Sequence, residues 1–192
     1  MKILLHICCG PCTIFPLKKL RADGFSVQGL FFNPNIHPYL EYRRRMDTLR
    51  SYALSESFDV TFDEEYPMEE FLENVALRRD RRCRHCYEIR LSTAADFAKK
   101  AGYGLFTTTL LYSTYQNHEM IAEVGRDAAK NAGIEFHYDD YRIGWREGIV
   151  RSKEMGMYRQ QYCGCVYSEK DRYIGKSQQA LLRNPFFPRS NA

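Results

Sequence analysis

No run of this 192-residue chain is apolar over the roughly 20 residues that a bilayer-spanning helix needs. The first apolar segment, residues 1–7, is too short for the core of a secretory leader and leads into cysteines instead of a cleavage site. Internal repeats, low-complexity tracts and linker-like stretches are lacking as well. A reducing, cytoplasmic location is the expectation, with no membrane partner, and disulfides persist poorly there. The cysteine count, seven, is odd and fits full pairing badly. A ferredoxin-type run of three cysteines at two-residue gaps is also missing, which argues against a simple electron carrier.

What is present marks a folded globule. Apolar residues make up 44% of the chain and aromatics 14%. The formal charge of +4 is modest but unevenly spread. Arg43, Arg44 and Arg45 form one basic run; Arg78, Arg79, Arg81, Arg82 and Arg84 form a second, interrupted by Asp80 and Cys83. Runs of this kind are usually solvated helix faces. The second one surrounds a cysteine pair, so a polyanion brought to the thiols is expected there.

The cysteines fall in three tight clusters: Cys8, Cys9 and Cys12; Cys83 and Cys86; Cys163 and Cys165. Crowded thiols without a secretory leader are metal or redox ligands more often than staples. A thioredoxin-like dithiol at Cys9 and Cys12 leaves the other cysteines without a role. A structural zinc site on the pairs Cys9/Cys12 and Cys83/Cys86 offers four thiolates, but it leaves Cys8, Cys163 and Cys165 unexplained. An iron–sulfur cluster takes four thiolates and leaves up to three for a second metal or a nucleophile.

Apolar segments alternate with helical patterns. Strands are expected at 2–7, 25–32, 59–62, 105–111 and 134–138, with helices at 13–22, after Pro38, from Pro67, around Leu91–Ala98 and after a capping box at Ser113 and Gln116. Five strands separated by helices indicate an open, largely parallel α/β sheet. One domain is expected over 1–192, with 145–183 a helical extension carrying the third cysteine cluster and 184–192 a loose end. In such sheets ligands bind beyond the carboxyl ends of the strands, where strand order reverses. Cys8, Cys9 and Cys12 fall at that place, beside a helix N-terminus that favours thiolate.

Other residues are weaker signals. Tyr115, Gln116, Asn117 and His118 form a polar stretch suited either to substrate recognition or to satisfying a helix start. His6 reads as a hydrogen-bonded core residue, and His85 as solvated or behind the ligands. Tyr158, Arg159, Tyr162 and Tyr167 flank the third cluster and suit either base stacking or a helix surface.

Four stretches together resemble the QueH-type epoxyqueuosine reductases: residues 4–11 with Cys8-Cys9-Gly10-Pro11, residues 82–87 with Cys83 and Cys86, Ser113-Thr114-Tyr115-Gln116-Asn117-His118, and residues 158–165 ending in Cys163-Gly164-Cys165. The resemblance implies a HUP-like, Rossmann-type fold. It also implies conversion of epoxyqueuosine at the tRNA wobble position to queuosine, by a 4Fe–4S cluster beside a separately ligated iron, without cobalamin. Some members carry aspartate where this chain has Cys12, which makes the second site softer here. Thr114 stands where proline is common. The Ser-Gly-Gly-x-Asp-Ser loop of ATP-using relatives of the fold is replaced by Cys-Cys-Gly-Pro-Cys.

On that basis Cys83, Cys86, one of Cys163 and Cys165, and one of Cys8 and Cys9 are expected on the cluster, with the remaining cysteines on the second metal. Cys8, Cys12, Tyr115, Gln116 and His118 are the candidate catalytic residues. Arg43, Arg44, Arg78, Arg79, Arg81 and Arg82 are the candidates for binding the anticodon arm. An electron donor such as a ferredoxin is implied. The rival from another class is a zinc-stabilised RNA-binding module without catalysis.

Overall fold

A computed structural model describes residues 1–78 and 81–182, with the backbone alone over 175–182. The expected contact residue Arg79, the end of the extension at 183 and the tail 184–192 lie outside the described residues. Five parallel strands, β1 (Lys2–Ile7), β2 (Ser26–Phe31), β3 (Val60–Phe62), β4 (Leu105–Thr108) and β5 (Glu135–Phe136), form one sheet in the order β3-β2-β1-β4-β5. This is the Rossmann-type α/β fold expected from the alternating pattern. The chain leaves β1 toward β2 on one side and reaches β4 on the other, so the reversal lies between β1 and β4.

Helices cover both faces of the sheet, and β1 is therefore a nearly continuous apolar run. Its side chains alternate between two cores. Ile3, Leu5 and Ile7 pack with Leu17 and Leu20 of α1 (Gly10–Ala22) and with Met46 and Leu49 of α2 (Tyr39–Ser55). Leu4 packs with Phe106 of β4, Leu91 and Ala94 of α4 (Arg82–Lys100), and Ile121 and Val124 of α5 (His118–Ala132). A short α3 (Met68–Ala76) buries Phe71 and Val75, and α6 (Trp145–Glu154) packs along α1. The last helix, α7, spans Val166–Leu182. No helix among the described residues is long and apolar enough to cross a membrane.

Four local expectations need correction. The strand expected at 105–111 ends at Thr108, because the Thr108 hydroxyl accepts the Leu110 N–H at 3.1 Å and turns 109–112 into a 3-10 turn. The capping box at Ser113 and Gln116 is not formed. Asn117 caps α5 instead, its Oδ1 accepting the Met120 N–H at 3.0 Å, while Ser113 Oγ accepts from Tyr115 N. The helical stripe around Leu91–Ala98, expected to begin near Cys86, starts at Arg82 as α4, so Cys83 and Cys86 both lie inside its first turns. The strand expected at 134–138 is only Glu135–Phe136.

Gly29 on β2 shows how tightly the sheet is covered. A Cβ there would stand 2.8 Å from Val60, 2.9 Å from Ile7 and 2.9 Å from Phe58, three side chains on different elements. Gly29→Ala is expected to cost about 1–3 kcal/mol through overpacking. That should lower the melting temperature by several degrees, and an unchanged melting curve would contradict the packing. A second prediction concerns acid. His6, His37, His118 and His137 all have pKa values lowered by burial, His6 to about 3. The unfolded chain then binds protons that the folded one refuses, so stability should fall as pH drops below about 6.5. Urea unfolding midpoints between neutral and mildly acidic pH measure this, and a flat profile would count against the neutral buried histidines.

Candidate metal centre

The three cysteine clusters meet at the carboxyl end of β1. Cys8 follows the strand, Cys9 is the residue before α1, and Cys12 lies in its first turn. Cys83 and Cys86 sit in the first turns of α4, and Cys165 directly precedes α7. A cavity of about 610 Å³ is lined by Cys8, Cys12, Cys83, Cys86, Cys163 and Cys165. Cys9 is fully buried beneath it. Three helices therefore present their N-termini, with their partial positive charge, to one space.

Within that space the sulfurs are not evenly distributed. The Sγ atoms of Cys8, Cys9 and Cys12 lie within 4.8 Å of one another, and among the described residues this is the one His, Cys or acidic trio so close. Cys8 and Cys9 are 3.8 Å apart. Thr109 locks Cys8 in place: its Oγ1 accepts the Cys8 N–H at 3.0 Å and donates to Cys8 Sγ at 3.3 Å. Gln160 Nε2 donates to Cys9 Sγ at 2.9 Å and Cys12 Sγ at 3.3 Å. Hydrogen bonds from Cys12 and Cys9 hold the Cys8 thiol well below its usual pKa, with help from Arg90 and Thr109. Burial pushes Cys9 up, and hydrogen bonds to Cys8 and Cys9, helped by burial, do the same to Cys12. Burial also raises Cys83 and Cys165, and takes Cys86 to about 12. Without a cation most of these thiols keep their protons, and a metal entering the cavity would displace them.

Two buried arginines flank the sulfurs. Arg90, 2% exposed, donates from Nη2 to Asn33 Oδ1 at 2.7 Å, and Asn33 in turn donates to the carbonyl of Ile7. Its Nε has no hydrogen-bond partner, and no carboxylate among the described residues pairs with it. Its place on the cysteine side of α4, seven residues after Cys83 and four after Cys86, follows from helical spacing. Arg45 is not solvated with its neighbours in the first basic run; it is 1% exposed and paired with Glu41 at 2.7 Å. It donates to the carbonyls of Cys163 at 2.9 Å and Tyr162 at 3.0 Å. Tyr158 donates its hydroxyl to Glu41, Tyr162 donates to the carbonyl of His37, and the His37 N–H reaches Gly164 O at 2.8 Å. Gly164 has φ 132°, and a side chain there would meet Ile36 at 2.9 Å. The segment 158–165 is thus strapped across the cavity by α2 and the turn ahead of it.

The other expected residues divide. Tyr115 and Gln116 line the cavity mouth. His118 does not: it is buried on the core side of α5, with Nε2 3.3 Å from Leu111 O and 3.6 Å from Asp140. His6 is the core residue expected, bonded to Thr108 Oγ1 at 2.8 Å and Phe32 O at 3.1 Å. Its Nε2 carries the proton, because a carbonyl can only accept. His85 is half-buried beside Glu88. Arg82 lines the cavity over the ring of Tyr167 at 4.1 Å, and Arg78 and Arg81 are exposed near it. Arg44 is exposed over Tyr158, and Arg43 pairs with Asp47 and Glu64 away from the cavity.

A Rossmann-type domain whose switch-point cavity is walled by thiols and buried arginines is an α/β protein with ligands suited to a metal ion. The family model described as "Epoxyqueuosine reductase QueH" matches residues 3–171, and the chain belongs to that family. The chain is 37% identical over 172 residues to a relative of that name from Dehalococcoides mccartyi, covering 90% of this chain and 94% of the relative. It is 34% identical over 180 residues to the one from Thermotoga maritima, covering 88% and 91%. A crystal structure described as a predicted subunit of tRNA methyltransferase from Methanocaldococcus jannaschii shares the fold, with a TM-score of 0.52, 10% identity and coverage of 80% of this chain and 74% of that one.

The Glu41–Arg45 pair generates a prediction. Arg45→Met leaves Glu41 buried without its cation and should cost about 3–5 kcal/mol. Removing both charges, with Glu41→Gln and Arg45→Met together, should cost less than Arg45→Met alone. A urea-unfolding double-mutant cycle measures the coupling, and additive losses would show that the strap does not depend on the pair.

Proposed function

We propose that this chain is an epoxyqueuosine reductase acting on tRNA, with Cys83, Cys86, Cys163 and Cys165 holding a 4Fe–4S cluster and Cys8, Cys9 and Cys12 a single metal ion. Family membership supports the activity. The observation that carries the division of ligands is the spacing of the sulfurs. Two thiolates on one tetrahedral ion, with bonds of about 2.3 Å, stand about 3.8 Å apart. Cys8 and Cys9 have that separation already, with Cys12 beside them. The remaining four thiols surround the cavity without so tight a trio, which suits a larger cluster. This reading departs from the expectation that Cys8 or Cys9 shares the cluster.

The donor chemistry fits an anionic centre. Arg90 is a buried cation without an acid, an arrangement that costs several kcal/mol unless negative charge stands beside it. Thiolates bound to metal supply that charge. Gln160 and Thr109 donate to the sulfurs of the tight trio, fixing their orientation and withdrawing electron density from them.

Removal of the epoxide oxygen to leave an alkene takes two electrons and two protons and releases water. When bound, the cluster supplies electrons singly and the neighbouring ion supplies a Lewis acid for the oxygen. The protein's own part is to hold the substrate at the cavity mouth with Ser113, Tyr115 and Gln116 and to exclude bulk water with the 158–165 strap. Arg78, Arg81 and Arg82 present cations to the RNA backbone on the α4 side of the mouth, so affinity should fall steeply with salt. An electron donor of ferredoxin type completes the reaction.

Anaerobically purified protein should be brown and contain iron and acid-labile sulfide. Cys83→Ser and Cys163→Ser should lose the sulfide. Cys12→Ser should keep the sulfide and lose about one equivalent of metal. A colourless wild-type protein holding zinc and no sulfide would overturn the proposal in favour of the zinc-stabilised RNA-binding module. Sulfide loss in Cys12→Ser would overturn the division of ligands.

A further inference from the structure

The cavity mouth carries an aromatic corner that neither the metal centre nor the core requires. Trp145, the only tryptophan in the chain, opens α6 and is half-buried. Tyr112 fixes it from below: the ring centroids are 5.1 Å apart, and the Tyr112 hydroxyl donates to Trp145 O at 3.1 Å. That hydroxyl lies over the backbone of α6, where a Cβ on Gly148 would come within 2.2 Å of it. On the open side stands Tyr115, 82% exposed, with its ring 5.7 Å from that of Trp145 and turned 76° to it. The Tyr115 backbone is pinned by its N–H to Ser113 Oγ at 3.2 Å. All three aromatic residues line the same cavity as the thiols.

A large exposed aromatic ring held rigidly beside a concave site marks a binding contact. Two rings at 76° make a corner, in which a flat ligand stacked on one ring meets the edge of the other. The surrounding charge selects the ligand. Arg82, Arg159 and Arg172 line the cavity, and the acid lining it among the described residues is Asp171. A flat ring attached to an anionic backbone is a nucleotide, and unpaired bases are recognised by stacking on aromatic side chains. The cavity, at about 610 Å³, is large enough for one base and its substituent.

We infer that Tyr115 and Trp145 form the stacking seat for the modified base, so that the epoxide-bearing substituent extends inward toward the thiols. This rests on the function proposed above and adds to it the residues that position the base. The ring face of Tyr115 matters more than its hydroxyl, which makes no hydrogen bond among those described.

The single tryptophan serves as the reporter. Anaerobic, metal-loaded protein is titrated with a tRNA anticodon stem-loop while Trp145 is excited selectively, and binding is followed independently by the anisotropy of labelled RNA. Trp145 emission should change and saturate at the same RNA concentration as the anisotropy. Tyr115→Ala should weaken binding about 5- to 150-fold, the range for one lost stacking partner. Tyr115→Phe, which keeps the ring, should restore it. Iron and sulfide content should match wild type in both variants, which separates a binding role from a folding defect. RNA that binds without altering Trp145 emission, or that binds Tyr115→Ala as tightly as wild type, overturns the stacking seat and leaves the proposed function standing. Wild-type protein that binds no RNA by either signal overturns the proposed function itself.

Discussion

Positive potential concentrated in one cavity is the constraint on which the rest of this structure depends. The N-termini of α1, α4 and α7 converge there, and Arg90 and Arg45 stand buried on either side. Each helix end carries roughly half a positive charge, and the two arginines are buried beyond the water that would screen them. Such a site is unfavourable until negative charge fills it. Thiols that shed protons to a metal would supply that charge, and each helix brings its own cysteines to the meeting point. The fold and the chemistry therefore have one electrostatic solution in common. The sheet contributes by opening its crevice where β1 and β4 part, as parallel α/β sheets generally do.

Much of the fold was legible because its signals are local. Strand β1 is apolar on both faces, the stripe Tyr42, Met46, Leu49 and Ala53 marks α2, and Leu91, Ala94, Ala95 and Ala98 mark α4; all of these residues are buried or nearly so. The errors sit where a side chain redirects the backbone. Thr108 reads as a strand residue by propensity, yet its hydroxyl serves Leu110 N and ends the strand. Asn117 outcompetes Ser113 as a cap because its amide oxygen reaches Met120 N.

The site was partly legible. The cysteine clusters announced it, and their gathering into one cavity matches the expected geometry. Two residues stand where period, not composition, places them. Arg45 belongs to a run of three arginines, but it lies one turn after Glu41 and beside Tyr42, Met46 and Leu49, on the buried side of α2. His118 is polar and follows a polar stretch, yet it shares the buried stripe of Ile121, Ala122 and Gly125. The segment 158–165 stood out by its aromatics and cysteines, but its role as a strap carried no local signal. It is held largely through its own backbone carbonyls at Tyr162, Cys163 and Gly164, and such bonds are blind to the side chain that offers the carbonyl.

The strap also fixes when the centre can come into being during synthesis. The tight trio of sulfurs lies between β1 and the first turn of α1, whereas Cys163 and Cys165 follow all five strands in the chain. Contacts this far apart in sequence close late. A nascent chain thus presents these three thiols long before the last two that line the cavity. Closure of the cavity around all of its thiols is therefore a late event, with its timing written into the order of the polypeptide.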